Sequence, residues 1–467
     1  MKSKKLQEKI RLHFPFNTTK EQDECITNIA DYVATIGNKS IFILKGYAGT
    51  GKTTLVSTLV KSLPILGKRS VLMAPTGRAA KILSKYSKKS ASTIHKKIYW
   101  IKTNKSGNTF IKLKENTHSN TIFIIDEASM ISENSDKGFG NRSLLDDLIK
   151  YVYEGIDCKL ILIGDTAQLP PVHTDISPAL SEEKLELNFH KQVISQEITE
   201  VVRQKEKSFI LKNATYIRNR IMKNNYSFPK LITNTDVIRI KTGEDLQDAL
   251  ETAYSYEGIQ NTTVLCRSNK RANLYNQQIR TKIRWQEDKI SSGDMLMVVR
   301  NNYYWLAEES KVGFIANGDI VEVLEIKERI KRYGFSFARA TIRMIDYSKE
   351  KELDVVLLLD TLTSETPAIT YEQYQKLYKE VGLDYKGEKE INKKIKEDEF
   401  FNALQIKFAY SITCHKSQGG QWENVFVDLG YFTEEMLDKS YFRWLYTAIT
   451  RSTKKLFLIN FDKQFFK

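Results

Sequence analysis

The chain has 467 residues, 41% apolar and 28% charged, the balance of a folded globular protein with room for two to four domains and not of a disordered one. Lys and Arg number 72 against 57 Asp and Glu, a formal net charge of +15, which suits a polyanionic partner as well as it suits a merely Lys-rich composition. The four cysteines form no CxxC or Cys/His cluster, the opening MKSKKLQEKIRLHF lacks the apolar stretch of a signal peptide, and no run approaches the ~20 apolar residues of a membrane span, so a zinc module, a disulfide framework and a membrane protein are not expected.

In chain order, residues 18–36 carry apolar positions at helical spacing, with Asn17 or Thr18 placed to cap them. IFILK (41–45) is a short apolar run ending in a Gly-rich turn, which reads as a buried parallel strand. TTLVSTLVKSL (53–63) is a helix, and SVLMAP (70–75), TIFIIDE (121–127) and KLILIGD (159–165) repeat the strand theme. Strands alternating with helices predict a parallel sheet with crossover helices. Residues 98–115 hold two alternating segments around NKSGN, a β-hairpin set into that unit. A second α/β unit starts near residue 190, with strands predicted at 262–267, 424–429 and 455–460. It is interrupted over about 291–402 by short β segments and then a Lys/Glu-rich helical part (371–400), whose stretch 385–398 is predicted to present a solvated helix face.

GYAGTGKT (46–53) fits G-x-x-x-x-G-K-[ST] between a strand and an apolar helix. Gly46, Ala48, Gly49, Thr50 and Gly51 let backbone N–H groups wrap phosphates, and Lys52 reaches the β and γ oxygens. The Thr53 hydroxyl suits Mg²⁺, and Thr54 extends the helix N-terminus that faces the anion. Asp126 and Glu127 end the next buried strand. The first is placed to hold the metal and the second to polarise a water, so NTP hydrolysis is predicted and not storage. Gln168, in GDTAQLPP, is suited to bridge a γ-phosphate and a water.

GYAGTGKT, APTGRAAKIL (74–83), STIHKKI (92–98), IIDEASM, LIGDTAQLPPV, EVVRQ (200–204), SITCHKSQGGQWENV (411–425) and LYTAITRS (445–452) occur in the order of the motor motifs of superfamily 1 DNA helicases. Their wording resembles the RecD-like, phage Dda-like branch from Gln22 to Arg451. The resemblance implies an α/β chain of two RecA-like P-loop domains with ATP and Mg²⁺ between them. The first would comprise 1–97 and 119–188, with an inserted hairpin at 98–118. The second would comprise 189–290 and 403–467, with an inserted SH3-like β-barrel subdomain at 291–402.

It further implies that Gln22 reads adenine, that Arg203 and Arg451 reach the γ-phosphate from the second domain, and that Gly419 and Glu423 contact the nucleotide or couple it to DNA. Pro75, Thr76 and His95 match positions lining a single strand in the first domain; Asn269, Arg271, Thr413, His415 and Lys416 match those in the second, with Asn269 and Arg271 exposed toward the strand. The hairpin sits where a strand-separating wedge is inserted, and of Tyr99, Trp100 and Phe110 the spacing favours Phe110 as the stacking ring. The implied activity is an ATP-dependent helicase moving 5′→3′ on single-stranded DNA, in replication, recombination or repair. Its implied partners are single strands and single-strand/duplex junctions, with a single-strand-binding protein or replisome proteins as further candidates. It would act as a monomer, off the membrane, in the cytoplasm of a bacterial or phage-infected cell. The rival readings are a translocase that displaces bound proteins, a motor subunit of a recombination or nuclease complex, and an RNA motor.

Overall fold

The structure, a computed structural model, describes residues 1–37, 40–103, 109–132, 143–171, 174–201, 208–306, 310, 314–347 and 351–467, and leaves aside the side chains of 101–103 and 109–111. The first lobe opens with α1 (Lys2–His13) and α2 (Lys20–Ala34), followed by β1 (Ser40–Gly46), α3 (Lys52–Ser62), β2 (Arg69–Ala74), α4 (Gly77–Ser87), β3 (Ala91–Thr93) and α5 (Ile94–Ile98). The hairpin β4 (Tyr99–Thr103) and β5 (Thr109–Leu113) comes next. Then follow β6 (Thr121–Ile125), α6 (Leu144–Glu154), β7 (Lys159–Gly164), α7 (Glu182–Phe189) and β8 (Gln192–Ile198). The cap of α2 is Thr19, in a capping box with Gln22, and not Asn17 or Thr18: only Thr19 stands three residues before a Gln that can answer its backbone N–H.

Six strands form a parallel sheet in the order β3-β2-β6-β7-β1-β8. β6 and β7 are buried on both faces, which is why their sequences are unbroken apolar runs. β8 pairs with β1 in the first sheet, so the expected start of the second unit at 189 is too early by at least ten residues. QVISQEI is a half-exposed edge strand whose polar alternation lacks the apolar signature of its neighbours.

The second lobe contains α8 (Phe209–Met222), β9 (Val237–Ile240), α9 (Gly243–Tyr256), β10 (Thr262–Cys266) and α10 (Asn269–Gln278). The barrel strands follow: β11 (Met295–Val298), β12 (Ile320–Arg332), β13 (Phe335–Met344) and β14 (Leu353–Leu358). After α11 (Tyr371–Asp384) and α12 (Ile391–Glu397) come β15 (Leu404–Phe408), β16 (Ser411–Thr413), β17 (Trp422–Asp428), α13 (Lys439–Ile449) and β18 (Ser452–Ile459). The sheet runs β16-β10-β17-β18-β9, all parallel, and β11 to β15 close a barrel.

Two expectations change here. The barrel is closed by β15, which lies beyond the expected limit at 402, because β11 needs Ile406–Phe408 as its second partner. The stretch 385–398 is not solely a solvated face: its Ile395 packs, beside Leu377 and Val381 of α11, in a cluster with Phe335, Phe337 and Phe400.

Candidate active site

The phosphate loop joins β1 to α3. Gly49 and Gly51 hold φ of +84° and +89°, conformations that L side chains rarely adopt, so these two glycines set the loop's shape. Lys52 Nζ folds back to donate to the carbonyls of Gly46 (2.6 Å) and Tyr47 (2.8 Å). The Thr50 hydroxyl closes the loop on the Tyr47 carbonyl at 2.9 Å. Thr53 and Thr54 lie in the first turn of α3, half-buried.

Gln22 is buried against this loop. Its Nε2 donates to the Thr50 carbonyl at 2.9 Å, its Oε1 accepts from Thr19 N at 3.1 Å, and a Cβ at Gly51 would stand 2.6 Å from Nε2. The structure therefore gives Gln22 a bracing task that the resemblance did not specify.

Asp126 and Glu127 follow β6. Glu127 adopts φ +54°, an uncommon conformation for a non-glycine residue, and its N–H donates to Asp126 Oδ1 at 2.9 Å. Burial raises both carboxyls above their ordinary range, while Arg451 and Lys52 pull Glu127 back toward the charged form. Gln168, after β7, is buried with Nε2 3.5 Å from Asp165 Oδ2, and its Oε1 has no hydrogen-bond partner among the described residues. A buried acceptor without a donor costs free energy and suits a donor supplied by a ligand.

α13 of the second lobe lies against this site. The Tyr446 hydroxyl donates to Asp165 Oδ2 at 2.8 Å and accepts from Ala48 N, in the phosphate loop, at 2.9 Å. Leu169 N donates to Thr447 Oγ1, and Gln418 Nε2 to the Leu169 carbonyl. Arg451, one residue past the last turn, is 4% exposed; it donates to the carbonyls of Thr447 (Nε, 3.1 Å) and Gly420 (Nη1, 3.2 Å). Its charge favours the ionised form of Glu127, so an arginine of the second lobe acts electrostatically on the acidic pair of the first. Arg203 lies outside the described residues.

Two of the residues expected to line a strand, Pro75 and Thr76, stand at the start of α4. Thr76 caps this helix through Ala79 N, with Pro75 beside it, both half-buried. A Cβ at Gly419 would lie 2.8 Å from Ala79 Cβ and 3.3 Å from Thr76 Oγ1, so the second lobe touches this helix start through a glycine at φ +71°. Arg78 stacks on the Trp422 ring, 3.8 Å from its centroid, and donates to the Gln421 carbonyl at 3.4 Å. Thr413 and Lys416 are half-buried and His415 is exposed, on the segment leading to Gly419.

Other expected residues are occupied differently. Arg271 is not simply exposed toward a strand: Nε and Nη2 grip the buried carboxylate of Asp428 at 2.6 and 3.3 Å, because an unpaired carboxylate there would be costly. Asn269, the first residue of α10, is half-buried. Glu423 pairs at the surface with Lys454 at 3.2 Å, which does not place it on the phosphate loop. His95 packs 5.8 Å from the Tyr99 ring, and Tyr99 is buried with its hydroxyl on Asp147 Oδ2. In the hairpin, Phe110 pairs with Lys102 and Lys112 with Trp100; the Phe110 side chain lies outside the described residues, and Trp100 is 55% exposed with Lys114 Nζ 4.7 Å from its ring.

Sequence reasoning assigned no task to Tyr446, Asp165, Arg78 or Trp422. All four stand inside the helicase-like motifs of the chain, but their partners belong to the other lobe, and no local pattern names them.

Residues 18–220 match the AAA domain family, and residues 408–459 the UvrD-like helicase C-terminal domain family. The ATP-dependent DNA helicase Dda of enterobacteria phage T4 is 26% identical over 89% of this chain and 93% of its own. The RecD subunit of the RecBCD enzyme of Buchnera aphidicola is 27% identical over 93% and 72%, and the ATP-dependent DNA helicase Pif1 of Campylobacter jejuni 24% over 88% and 86%. A solved Pif1 structure concerned with unwinding of forked duplex DNA aligns over 96% of this chain and 94% of its own, at 17% identity and a TM-score of 0.49. With an AAA domain match on the first lobe, a UvrD-like helicase match on the second and relatives aligned along most of the chain, it is similar to the superfamily 1 helicases of the RecD, Pif1 and Dda type.

Proposed function

We propose that this chain is an ATP-dependent helicase that moves 5′→3′ along single-stranded DNA and parts the duplex at a junction. The observation that carries the reading is the shared site: phosphate loop and acidic pair on one lobe, Arg451 and Tyr446 on the other. A site split in this way changes shape when the γ-phosphate is bound and when it is lost, and that change is what a motor needs.

Lys52 leaves the loop carbonyls for the β and γ oxygens, so the charge now directed at Gly46 and Tyr47 is transferred to substrate. Glu127, held in an uncommon backbone conformation, orients the attacking water, and Gln168 Oε1 accepts from it. Arg451 stabilises charge developing on the transferred phosphoryl group. The hydroxyl of Thr53 and the carboxylate of Asp126 are hard oxygen donors of the kind Mg²⁺ takes alongside phosphates, so these two would hold the ion. Bound there, it would neutralise phosphate charge. Glu423, Gln22 and the strand-facing residues are read as contacts of nucleotide and DNA on the resemblance alone.

The strand runs over Pro75 and Thr76 on one lobe and Thr413 to Lys416 on the other, whose meeting point is the Gly419 contact on α4. Strand separation assayed on 5′-tailed, 3′-tailed and RNA-tailed duplexes tests this reading, with Lys52→Ala as the inactive control. Opening of the 5′-tailed DNA alone is expected. Equal opening of the 3′-tailed substrate overturns the polarity, and ATPase that ignores single-stranded DNA overturns the motor.

A further inference from the structure

A cleft of about 480 Å³ opens at the N-terminal ends of β2 and β6, the sheet edge opposite the phosphate loop. Lys68, Arg69, Lys89 and His118 line it. It is a built surface. Lys68, almost buried, is fixed by Asp157 (2.8 Å) and Asn120 (3.2 Å), and Lys89 Nζ donates to Ser70 Oγ at 2.7 Å.

Positive charge continues past the cleft at Lys97, two residues before the hairpin, while His118 of the lining lies five residues after it. Burial depresses Lys114, and Lys97 and Lys96 depress it further; burial likewise lowers His118, with Lys97 and Arg69 adding to the effect. His118 in the cleft lining thus feels the charge of Arg69 beside it and of Lys97 at the hairpin root. Among the described residues, Arg69, Lys89 and Lys97 share no ion pair with a carboxylate. Gathering like charges without counter-charges costs stability unless an anionic partner supplies them.

We propose that this cleft and the cations leading to it hold the phosphate backbone of the duplex ahead of the hairpin. The inference rests on the helicase reading. A duplex parted at the hairpin has its backbone beside the hairpin root, where Lys97 and Lys114 stand, and the cleft takes the phosphates next along the arm. The grip is one of charge, indifferent to sequence, because the lining presents ammonium, guanidinium and imidazole groups.

The test is the double charge reversal Arg69→Glu with Lys89→Glu, beside the charge-keeping pair Arg69→Lys with Lys89→Arg. Affinity is measured across a salt series for a forked duplex and for a single strand equal to its tail. The reversal should weaken forked-duplex binding about tenfold and reduce the salt slope by about 2, roughly one for each phosphate no longer neutralised. Single-strand affinity and strand-stimulated ATPase should stay within about twofold, and the charge-keeping pair should bind as the parent does. Equal weakening on both substrates would make the cleft part of the single-strand track, and no weakening on either would remove phosphate from it; each overturns the proposal. A parent chain whose ATPase ignores single strands would refute the helicase reading instead, so the two failures are separable.

Discussion

Arg451 and Tyr446 show how much of the site depends on single groups. Arg451 already has two carbonyl partners, so removing it costs both transition-state charge and a local tether. We expect Arg451→Ala to lower ATPase kcat by about 10³, the low end of an arginine-finger effect, with a KM change of only a few-fold. A variant that raises KM alone would make Arg451 a binding group. Tyr446→Phe deletes one hydroxyl, leaving buried Asp165 Oδ2 with only the 3.5 Å contact of Gln168 and the half-buried Ala48 N–H without its partner. Leaving such groups unsatisfied costs about 1–3 kcal/mol, to be read from denaturant midpoints at unchanged m value. Nucleotide should recover part of this stability, because a bound phosphate gives the Ala48 N–H a new acceptor; equal destabilisation with and without nucleotide would place the hydroxyl's role away from the loop.

At the scale of elements, the hairpin and α4 connect the chemistry to DNA. β4 and β5 put positions 100, 102, 110 and 112 on one face, with Trp100 exposed and Lys114 against its ring. Tyr99, by contrast, is core. Trp100→Ala should therefore leave single-strand ATPase within about twofold and slow unwinding several-fold, since stacking on one base is worth about 1–3 kcal/mol. Equal rates before and after substitution would leave Phe110 as the ring that stacks.

The elements also show what could be read from the chain alone. Strands such as β1, β6 and β7 announce themselves because burial on both faces demands unbroken apolar runs, and the loops after them carry residue types that phosphate and metal require. β8 and β15 escaped because edge pairing and barrel closure are set by partners distant in sequence. Arg271 escaped for the same reason: its neighbours in sequence say nothing of Asp428, which lies over 150 residues away. α12 looks solvated by composition, yet Ile395, with Ile391 beside it, docks it against Leu377 and Val381 of α11 and the barrel-side phenylalanines.

Across the whole molecule, α4 is where three parts meet, for the barrel reaches it as well as the second lobe. A Cβ at Gly77 would collide with the Tyr347 hydroxyl and stand 2.8 Å from Asp319 Oδ1, and Lys81 Nζ donates to the Ile345 carbonyl at 2.9 Å. Asp319 is thus buried between the barrel and the start of a helix that also carries Thr76. Burial raises its carboxyl from the ordinary 3.8 to about 7, with Asp346 adding repulsion; the Ala316 N–H, donating to Oδ2, opposes this. Lys81, 3.4 Å from Asp346, offsets part of that second charge. Because the folded carboxyl holds its proton where the unfolded one has released it, the folded state binds more protons between about pH 4 and 7. Stability from this group is therefore full below pH 4, falls as pH rises, and levels off above about 7, a difference on the order of 4 kcal/mol. Asp319→Asn keeps an oxygen for the Ala316 N–H but cannot ionise. The variant should lose less stability than the parent between pH 5 and 8, and at pH 8 should be at least as stable, as measured by chemical denaturation at each pH. Unchanged slopes in the two proteins would mean that Asp319 ionises freely in the fold and that this junction does not respond to pH.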